Sequence, residues 1–415
     1  IMLDTLFTKP HVLERHNTAP YLGSRISYLL HCKEQGYPSS SLKKIAWVLL
    51  VFTLSKDMRK LSQITREEVE FVVDNRVQLY QHKCPKKASA SSRILFIGIV
   101  TTWLRFSHNF QEVSDEHSIF DGYVEGFALF MRDERGLSPA TISFRCDALI
   151  IFFDSVKETK NTLDTISIKD IDNYLAYRGR HGWSRRSLRT LASALRSFFH
   201  YAHSQDWVSN FAAAIEAPPL YAQEGLPFGP SWEQVKQLIA SVNSNSVTDI
   251  RDRAIILLLA VYGLRAGEVS QLHLEDIDWV GDILHITRLK QRSRQQYPLN
   301  EEVGNAIARY LNEARPCSKS RSLFLTICAP FRSLSAASMA PIVHSRLEAL
   351  EIELPRRGAH CLRHACARHL LDAGFSLKQI GDQLGHRNPE TTRIYTKVDL
   401  NGLRQVGEFD MGDLL

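Results

Sequence analysis

Residues 381–396 read GDQLGHRNPETTRIYT and place Tyr395 nine residues after His386. Upstream, residues 359–373 read AHCLRHACARHLLDA, and further upstream residues 263–268 read GLRAGE. A single histidine or tyrosine of this kind usually belongs to a hydrophobic core. The three stretches in this order are a specific combination, and they decide which fold and chemistry we expect.

The residue types in these stretches suit the breaking and rejoining of a phosphodiester. A tyrosine phenol can hold the phosphoryl group covalently, which splits one displacement into two reversible steps. The transition state carries negative charge that needs fixed positive charge around it. Arg265 and Arg363 offer planar guanidiniums that bind two oxygens and stay protonated.

The set resembles the catalytic constellation of the tyrosine recombinases, the phage integrase family. The resemblance implies that Arg265 and Arg363 clamp the phosphate and that Tyr395 is the nucleophile. It implies that His360 shares the clamp and accepts the tyrosine proton. It also implies that His386 hydrogen-bonds the phosphate. The similarity covers about residues 120 to 398 of the chain.

The family's catalytic lysine lies in a β-hairpin, some eight residues before a Pro-Leu pair. Here residues 283–287 and 296–299 alternate as strands, with a basic hairpin over residues 288–294 between them. Counting back from Pro298 reaches Lys290, which the resemblance makes the general acid. Its neighbours are leucine and glutamine where the family usually has glycines, so this loop departs from the family pattern.

Three further residues have supporting roles in this interpretation. Arg292 and Arg294 flank Lys290, and we expect them to touch the DNA backbone. Glu268 belongs to the motif, and we expect it to orient Arg265 and the neighbouring backbone.

The composition permits a nucleic-acid partner. The 415-residue chain has a formal net charge of +6 and a pI of about 8.9, a mild basic excess. Hydrophobic residues make up 44%, enough for packed cores in two or three domains. We find no apolar run of membrane-spanning length and no signal-peptide pattern, so we expect no membrane association.

The seven cysteines include no Cys-x-x-Cys pair, which is typical of reduced thiols and favours a cytoplasmic protein. Cys361 and Cys366 lie among His360, His364 and His369, so a zinc site is an alternative interpretation. Their spacing matches no common zinc pattern. We therefore expect neither a metal nor another cofactor.

Two stretches interrupt the helical patterning. Residues 111–117, QEVSDEH, are polar and acidic, and residues 217–230 contain four prolines, which resist helix. We expect an N-terminal helical domain over residues 1–112, a helical core-binding domain over 115–216, and a catalytic domain with its tail over 228–415.

The middle piece predicts a helical bundle similar to the family's SAM-like core-binding domain. Apolar spacing predicts helices over residues 121–135, 140–155, 167–178 and 184–204. Cationic residues surround Trp183 without any acid, which suits contact with phosphates; the alternative is a solvated helix face. The expected DNA-binding residues are Arg178, Arg180, Arg185, Arg186 and Arg189.

The N-terminal piece echoes the middle one at an offset of 102 residues. Ile64 falls on Ile166 and Val69 on Ile171. A duplicated helical domain is one interpretation, which would make residues 1–112 a second DNA clamp or an arm-site reader. The other is that two amphipathic helix pairs look alike by chance, which would leave an accessory interaction domain.

Together these patterns predict a mainly α-helical fold, with core-binding helices followed by a catalytic domain that contains a small antiparallel sheet. The resemblance implies double-stranded DNA as substrate and a homo-tetramer on two recombination sites, with accessory DNA-bending proteins as further partners. It also implies a bacterial-type, nucleoid-associated location. The tail after Tyr395 either packs onto a neighbouring protomer or frays.

Two rival functions remain. A type IB topoisomerase uses similar chemistry on one duplex, whereas the separate core-binding piece favours strand exchange between recognised sites. A catalytically silent DNA-binding regulator could share the fold, but the complete set of six residues disfavours it. A metal-dependent transposase would need an acidic triad on a sheet, which the sequence does not show.

Overall fold

The computed structural model describes residues 2–55, 63–81, 90–111, 118–219, 228–288, 293–386, 390–393 and 395. In these parts the chain is mainly α-helical with one small antiparallel sheet, which confirms the predicted fold class. None of the helices in these ranges has the combined length and hydropathy of a membrane span. Two compact units result, one formed by Ile1–Gln111 with Leu226–Leu415 and one by Glu112–Gly225. The division into three domains stays a prediction.

The N-terminal part of the first unit is a helical cluster. Its apolar faces meet around Leu49, Phe52 and Trp103, which are fully buried. The Trp103 indole N–H donates to the Ser24 hydroxyl over 3.1 Å, which satisfies its one polar atom inside the core. The helices are α1 (Met2–Leu6), α2 (Pro10–Thr18), α3 (Leu22–Glu34), α4 (Ser39–Thr53), α5 (Arg66–Gln81) and α6 (Ala90–Phe106).

The second unit contains the helical bundle that the sequence predicts. Ser138 and Ser184 cap two of its helices, each with a hydroxyl that accepts a backbone N–H of the first turn. Aromatic rings fill the core, and Phe127 and Phe153 both meet Phe198 edge to face at 5.4 Å. The helices are α7 (Asp121–Asp133), α8 (Pro139–Val156), α9 (Ile168–Arg180) and α10 (Arg185–Ser204).

The buried positions of α3–α6 recur in α7–α10 in the same helix order. Ile64 and Val69 match Ile166 and Ile171 at the offset of 102, and all four are buried. This offset does not hold in the other helix pairs, because the loops between the helices differ in length. Further buried pairs are Tyr28 and Phe127, Cys32 and Met131, Ile45 and Leu149, Leu49 and Phe153, Val100 and Leu195, and Trp103 and Phe198. A duplication would leave such a recurrence, and the duplication stays a prediction.

The C-terminal part of the first unit is organised around α12, whose residues from Ile255 to Leu259 are completely buried. The antiparallel sheet has the strand order β1-β2-β3. The helices are α11 (Trp232–Ser241), α12 (Val247–Val261), α13 (Ala266–Ser270), α14 (Glu301–Arg309), α15 (Ala336–Ala349), α16 (Ala359–Asp372), α17 (Leu377–Leu384) and α18 (Glu390–Arg393). The strands are β1 (Ile277–Asp278), β2 (Ile283–Arg288) and β3 (Ser293–Pro298).

The hairpin between β2 and β3 is shorter than the predicted span of residues 288–294. Strand β2 continues through Arg288, which pairs with Ser293 at the start of β3. Leu284, Ile286 and Arg288 alternate onto the buried face of the strand, so the arginine extends the strand where the sequence suggested a loop.

The N-terminal helices contact the C-terminal part through a glycine. Gly36 follows α3 at φ +84, in the left-handed region that favours glycine. The ring of Phe331 occupies the space that a Cβ of Gly36 would fill. A larger residue at this position would therefore push the two parts of the first unit apart.

We predict that His16 makes the stability of the N-terminal helices depend on pH. Its ring is 1% exposed and stacks on Phe7, and its Nδ1 has no hydrogen-bond partner among the described residues. Burial, and then Arg25 and Arg15, lower its pKa to about 4. The unfolded chain, with an ordinary histidine pKa of about 6.5, binds more protons between these values. Stability should therefore fall as the pH drops from about 6.5 to about 4.

The measurement is the thermal unfolding midpoint of the full chain across this pH range. His16→Phe should flatten the decline, because the uncharged ring cannot take up a proton. His344→Phe, at an exposed histidine, should keep the slope of the unmodified protein. Equal slopes in the two variants would contradict the prediction.

Candidate active site

The loop after α12 brings Arg265 to the start of α13. Gly263 adopts φ +60, and a Cβ there would lie 2.5 Å from Leu384 Cδ2, so this turn requires glycine. The backbone N–H of Arg265 donates to Glu268 over 2.8 Å and caps the short helix. Its guanidinium donates to the other Glu268 oxygen over 2.8 Å and to the Gly385 carbonyl over 3.4 Å.

Arg288 is a site residue that the motif does not point out. Its side chain is completely enclosed, and its Nη1 donates to Glu268 over 2.7 Å. Its Nη2 donates to the Tyr297 hydroxyl and, over 3.0 Å, to the Gln383 carbonyl. One buried carboxylate therefore joins two guanidiniums, those of Arg265 and Arg288. These are the contacts expected of Glu268 as an orienting residue.

The alternation of buried and exposed side chains along β2 was the sequence signal that could have identified Arg288. An arginine in the third inward position of a strand, after Leu284 and Ile286, needs a buried acceptor. The turn after α17 closes over it: Gly385 has φ +62, and a Cβ there would lie 2.6 Å from Arg288 Nε. The glycine before His386 is thus required by the arginine beneath it.

Arg363 lies in the first turns of α16 and is 1% exposed. Its Nη1 donates to the Gly263 carbonyl and its Nη2 to the Leu384 carbonyl, both over 2.7 Å. Burial and the neighbouring Arg265 lower its pKa to about 10, which still leaves it charged at neutral pH. Arg363 thus ties the turn before Arg265 to the turn before His386.

His386 follows the left-handed Gly385 that ends α17. Its Nδ1 lies 2.8 Å from the Thr392 hydroxyl. Burial, followed by Arg363, lowers its pKa to about 4, so the ring is neutral at pH 7.

Tyr395 is buried against α16, with 2% of its surface exposed. Burial raises the pKa of its phenol to about 12, while Arg363 and Arg265 act in the opposite direction. Its hydroxyl lies 3.0 Å from Nδ1 of His364. The exposed ring of His360 meets His364 edge to face at 4.6 Å.

The structure therefore brings together Arg265, His360, Arg363, His386 and Tyr395, with Glu268 bound to Arg265 and Arg288. Chemically, the arrangement offers a phenol beside two cations and the neutral ring of His386. Such a site suits a phosphoryl group better than a neutral substrate, because the cations would stabilise added negative charge.

The remaining predicted residues of this region lie apart from the cluster or outside the described residues. Lys290 and Arg292 lie outside the described residues. Arg294 is exposed on β3, and its guanidinium lies 3.5 Å from the Asp276 carboxylate.

In the second unit, the expected DNA-binding arginines lie at the end of α9 and the start of α10. Arg178 is half-buried: its guanidinium lies 4.5 Å from the Trp183 ring centroid, and its Nε donates to Tyr174. The other four arginines are exposed: Arg180, Arg185, Arg186 and Arg189.

The zinc interpretation gains no support. Within the described ranges, no three histidine, cysteine, aspartate or glutamate side chains are arranged to hold a metal ion. Cys361 and Cys366 are buried, and burial raises the pKa values of their thiols to about 11 and about 12. Both therefore stay protonated, in a form that binds metal poorly.

Comparisons with known proteins agree with this geometry. Residues 231–401 match the phage integrase family, and residues 124–206 match the phage integrase N-terminal SAM-like domain. The integrase/recombinase y4rA of Sinorhizobium fredii is 34% identical over 296 residues, which cover 71% of this chain and 72% of the relative. Tyrosine recombinase XerD of Listeria monocytogenes is 31% identical over 292 residues, which cover 68% of this chain and 96% of the relative.

A solved structure shares the fold. The Tn1549 transposon integrase in complex with transposon right end DNA aligns with a TM-score of 0.54 at 18% sequence identity. The alignment covers 69% of this chain and 98% of that chain.

We predict that Arg288→Met destabilises the protein by about 3–5 kcal/mol, because it removes one partner of a buried ion pair. Arg321→Met serves as the control, since Arg321 pairs with Glu275 on the exposed surface and should contribute less than about 1 kcal/mol. Urea denaturation of the full chains, followed by circular dichroism, measures both. A smaller loss for Arg288→Met than for Arg321→Met would contradict the structural role of Arg288.

Proposed function

The chain belongs to the phage integrase family of tyrosine recombinases, enzymes that break and rejoin DNA, and from this we propose that it exchanges strands between two DNA sites through a 3′-phosphotyrosyl intermediate. One observation carries the proposal: Arg265 and Arg363 donate to the carbonyls of Gly385 and Leu384, and Leu384 lies in the same buried cluster as Tyr395. A catalytically silent protein would not need the complete set of motif residues.

In the proposed cleavage step, the Tyr395 oxygen attacks the phosphorus and the bond to the 5′ oxygen breaks. The phenol proton passes to His360, and Lys290 protonates the departing 5′ oxygen. Arg265 and Arg363 stabilise the negative charge of the transition state. Rejoining reverses these transfers with a 5′ hydroxyl from the partner strand, so the energy of the broken bond is kept without metal or ATP.

The hydrogen-bonding capacity of the site supports these roles. Arg363 uses two of its five N–H groups on backbone carbonyls, which leaves donors for phosphate oxygens. His386 is neutral at pH 7, and its Nδ1 lies beside Thr392. If Nδ1 accepts from that hydroxyl, Nε2 carries the proton and can donate to the phosphate.

We propose that the second unit binds the DNA duplex. Arg180, Arg185, Arg186 and Arg189 are exposed where α9 ends and α10 begins, a density that suits phosphate contacts. In helix α6, which matches α10 in its buried positions, Arg93 is paired with Asp74. The segment before α6, with Lys83, Lys86 and Lys87, lies outside the described residues. Residues 1–112 are proposed to form an accessory domain or an arm-type DNA-binding domain.

The proposed setting is the movement of a mobile element by a tetramer on two sites. The name integrase/recombinase of the S. fredii relative and the transposon DNA bound to the structurally similar integrase favour this setting. A silent DNA-binding regulator and a type IB topoisomerase-like relaxase are the alternatives that experiment must exclude.

We predict that the protein forms a denaturant-resistant adduct with nicked DNA that carries its recombination site, in the absence of added metal. The nick lets the short leaving strand diffuse away, which traps the covalent species. Tyr395→Phe should abolish the adduct, whereas Tyr310→Phe, at a buried tyrosine outside the site, should retain it. Binding in native gels without any adduct would favour the silent regulator.

We predict that Lys290→Ala slows cleavage on the order of 100-fold on ordinary DNA, because the departing 5′ oxygen loses its proton donor. A substrate with sulfur in place of the bridging 5′ oxygen should restore the rate, since a thiolate leaves without protonation. Tyr395→Phe should stay inactive on both substrates. Equal defects of Lys290→Ala on both substrates would exclude Lys290 as the general acid.

A further inference from the structure

The contact between His364 and Tyr395 is not explained by the six residues of the motif. His364 follows Arg363 on α16, and its Nδ1 lies 3.0 Å from the Tyr395 hydroxyl. The two rings meet edge to face at 5.7 Å. The residue that touches the nucleophilic oxygen is therefore the histidine after the clamping arginine.

Both partners of this contact are uncharged at neutral pH. Burial raises the pKa of Tyr395 to about 12, so the phenol keeps its proton. Burial, followed by His360 and Arg363, lowers the pKa of His364 to about 4, so the imidazole is neutral. A neutral imidazole has one nitrogen that donates and one that accepts, and the neighbouring groups decide which is which.

The charges around the phenol favour a hydrogen bond from Tyr395 to His364. The positive charges of Arg363 and Arg265 favour a lower pKa of the phenol, and such cations attract the lone pairs of its oxygen. The O–H then points away from the arginines, and Nδ1 of His364 lies within its reach. A nucleophile needs this orientation, because its lone pair has to face the phosphorus while its proton faces an acceptor.

We propose that His364 is a positioning residue for Tyr395: its Nδ1 accepts the hydrogen bond of the phenol and aims the oxygen lone pair at the phosphate held by the arginines. The proposal deepens the proposed function and rests on it. His364 orients the phenol before attack. In the cleavage step proposed above the hydrogen bond to His364 breaks, and the phenol proton passes to His360.

The position of Tyr395 explains why the chain needs such a contact. The phenol lies in a small apolar cluster with Cys366, Ala367, Ile380 and Leu384, which fixes the plane of the ring. Apolar neighbours cannot choose the direction of the O–H bond. A cleft of about 410 Å³ borders Tyr395 and His364, so close packing does not fix the direction of the O–H bond either.

Two substitutions at one position test the proposal. His364→Asn keeps an acceptor, because its amide oxygen can occupy the place of Nδ1, whereas His364→Leu removes the acceptor. We expect His364→Leu to slow adduct formation on nicked DNA on the order of 10- to 100-fold, with unchanged DNA affinity. His364→Asn should recover most of the rate.

His369→Leu is the matched control, because it lies on the same helix and stacks on Trp232 at 3.9 Å. It disturbs packing on α16 without touching the Tyr395 hydroxyl, and it should leave the rate close to that of the unmodified protein. Equal rates for the leucine and asparagine variants of His364 would overturn the proposal. A faster His364→Leu enzyme would also overturn it, since the contact would then restrain the nucleophile.

Nitrogen NMR of histidine-labelled full-length protein provides a readout that needs no activity. The His364 ring should carry its proton on Nε2, and Tyr395→Phe should shift the resonance of its Nδ1. A proton on Nδ1 would overturn the proposal. If no adduct forms with any variant, the proposed function fails, while the NMR result still decides whether the contact has the inferred direction.

Discussion

The close approach of three guanidiniums, two of them buried, is the constraint on which the site depends. Arg265, Arg288 and Arg363 would repel one another in a poorly solvated interior unless each found a negative or strongly polar partner. Glu268 binds the first two, and backbone carbonyls bind the third. Because these partners come from α13, the loop after α12 and the end of α17, the fold has to bring these elements together before the cations can coexist.

The two glycine turns follow from the same requirement. Gly263 and Gly385 both adopt left-handed backbone conformations and have no room for a Cβ. The carbonyls of these turns accept hydrogen bonds from Arg265 and Arg363. Backbone dipoles satisfy the guanidiniums without neutralising their charge. The site therefore stays cationic, while burial keeps the phenol and the histidines around it uncharged.

Local patterns were sufficient for the helices and for most of the site. The apolar spacing at Val124, Phe127 and Met131 predicted the core face of α7, and all three residues are buried. The motif named arginines and histidines that the fold gathers near Tyr395, and their catalytic roles stay predictions. The motif did not include Arg288 and His364, because these residues matter through contacts with Glu268 and Tyr395, which are distant in sequence. The prediction ended β2 one residue too early, since an arginine at a strand end looks like part of a loop until its buried acceptor is known.

The sequence by itself determined the family, the helical architecture and the residues of the catalytic motif, because these depend on residue type and spacing along the chain. Only the tertiary structure decided which groups hold those residues in place. Glu268 and Arg288 are far apart in sequence, as are Arg363 and the Gly263 carbonyl. Hydrogen bonds act over about 3 Å, so such partners become visible only when the folded chain has brought them into contact.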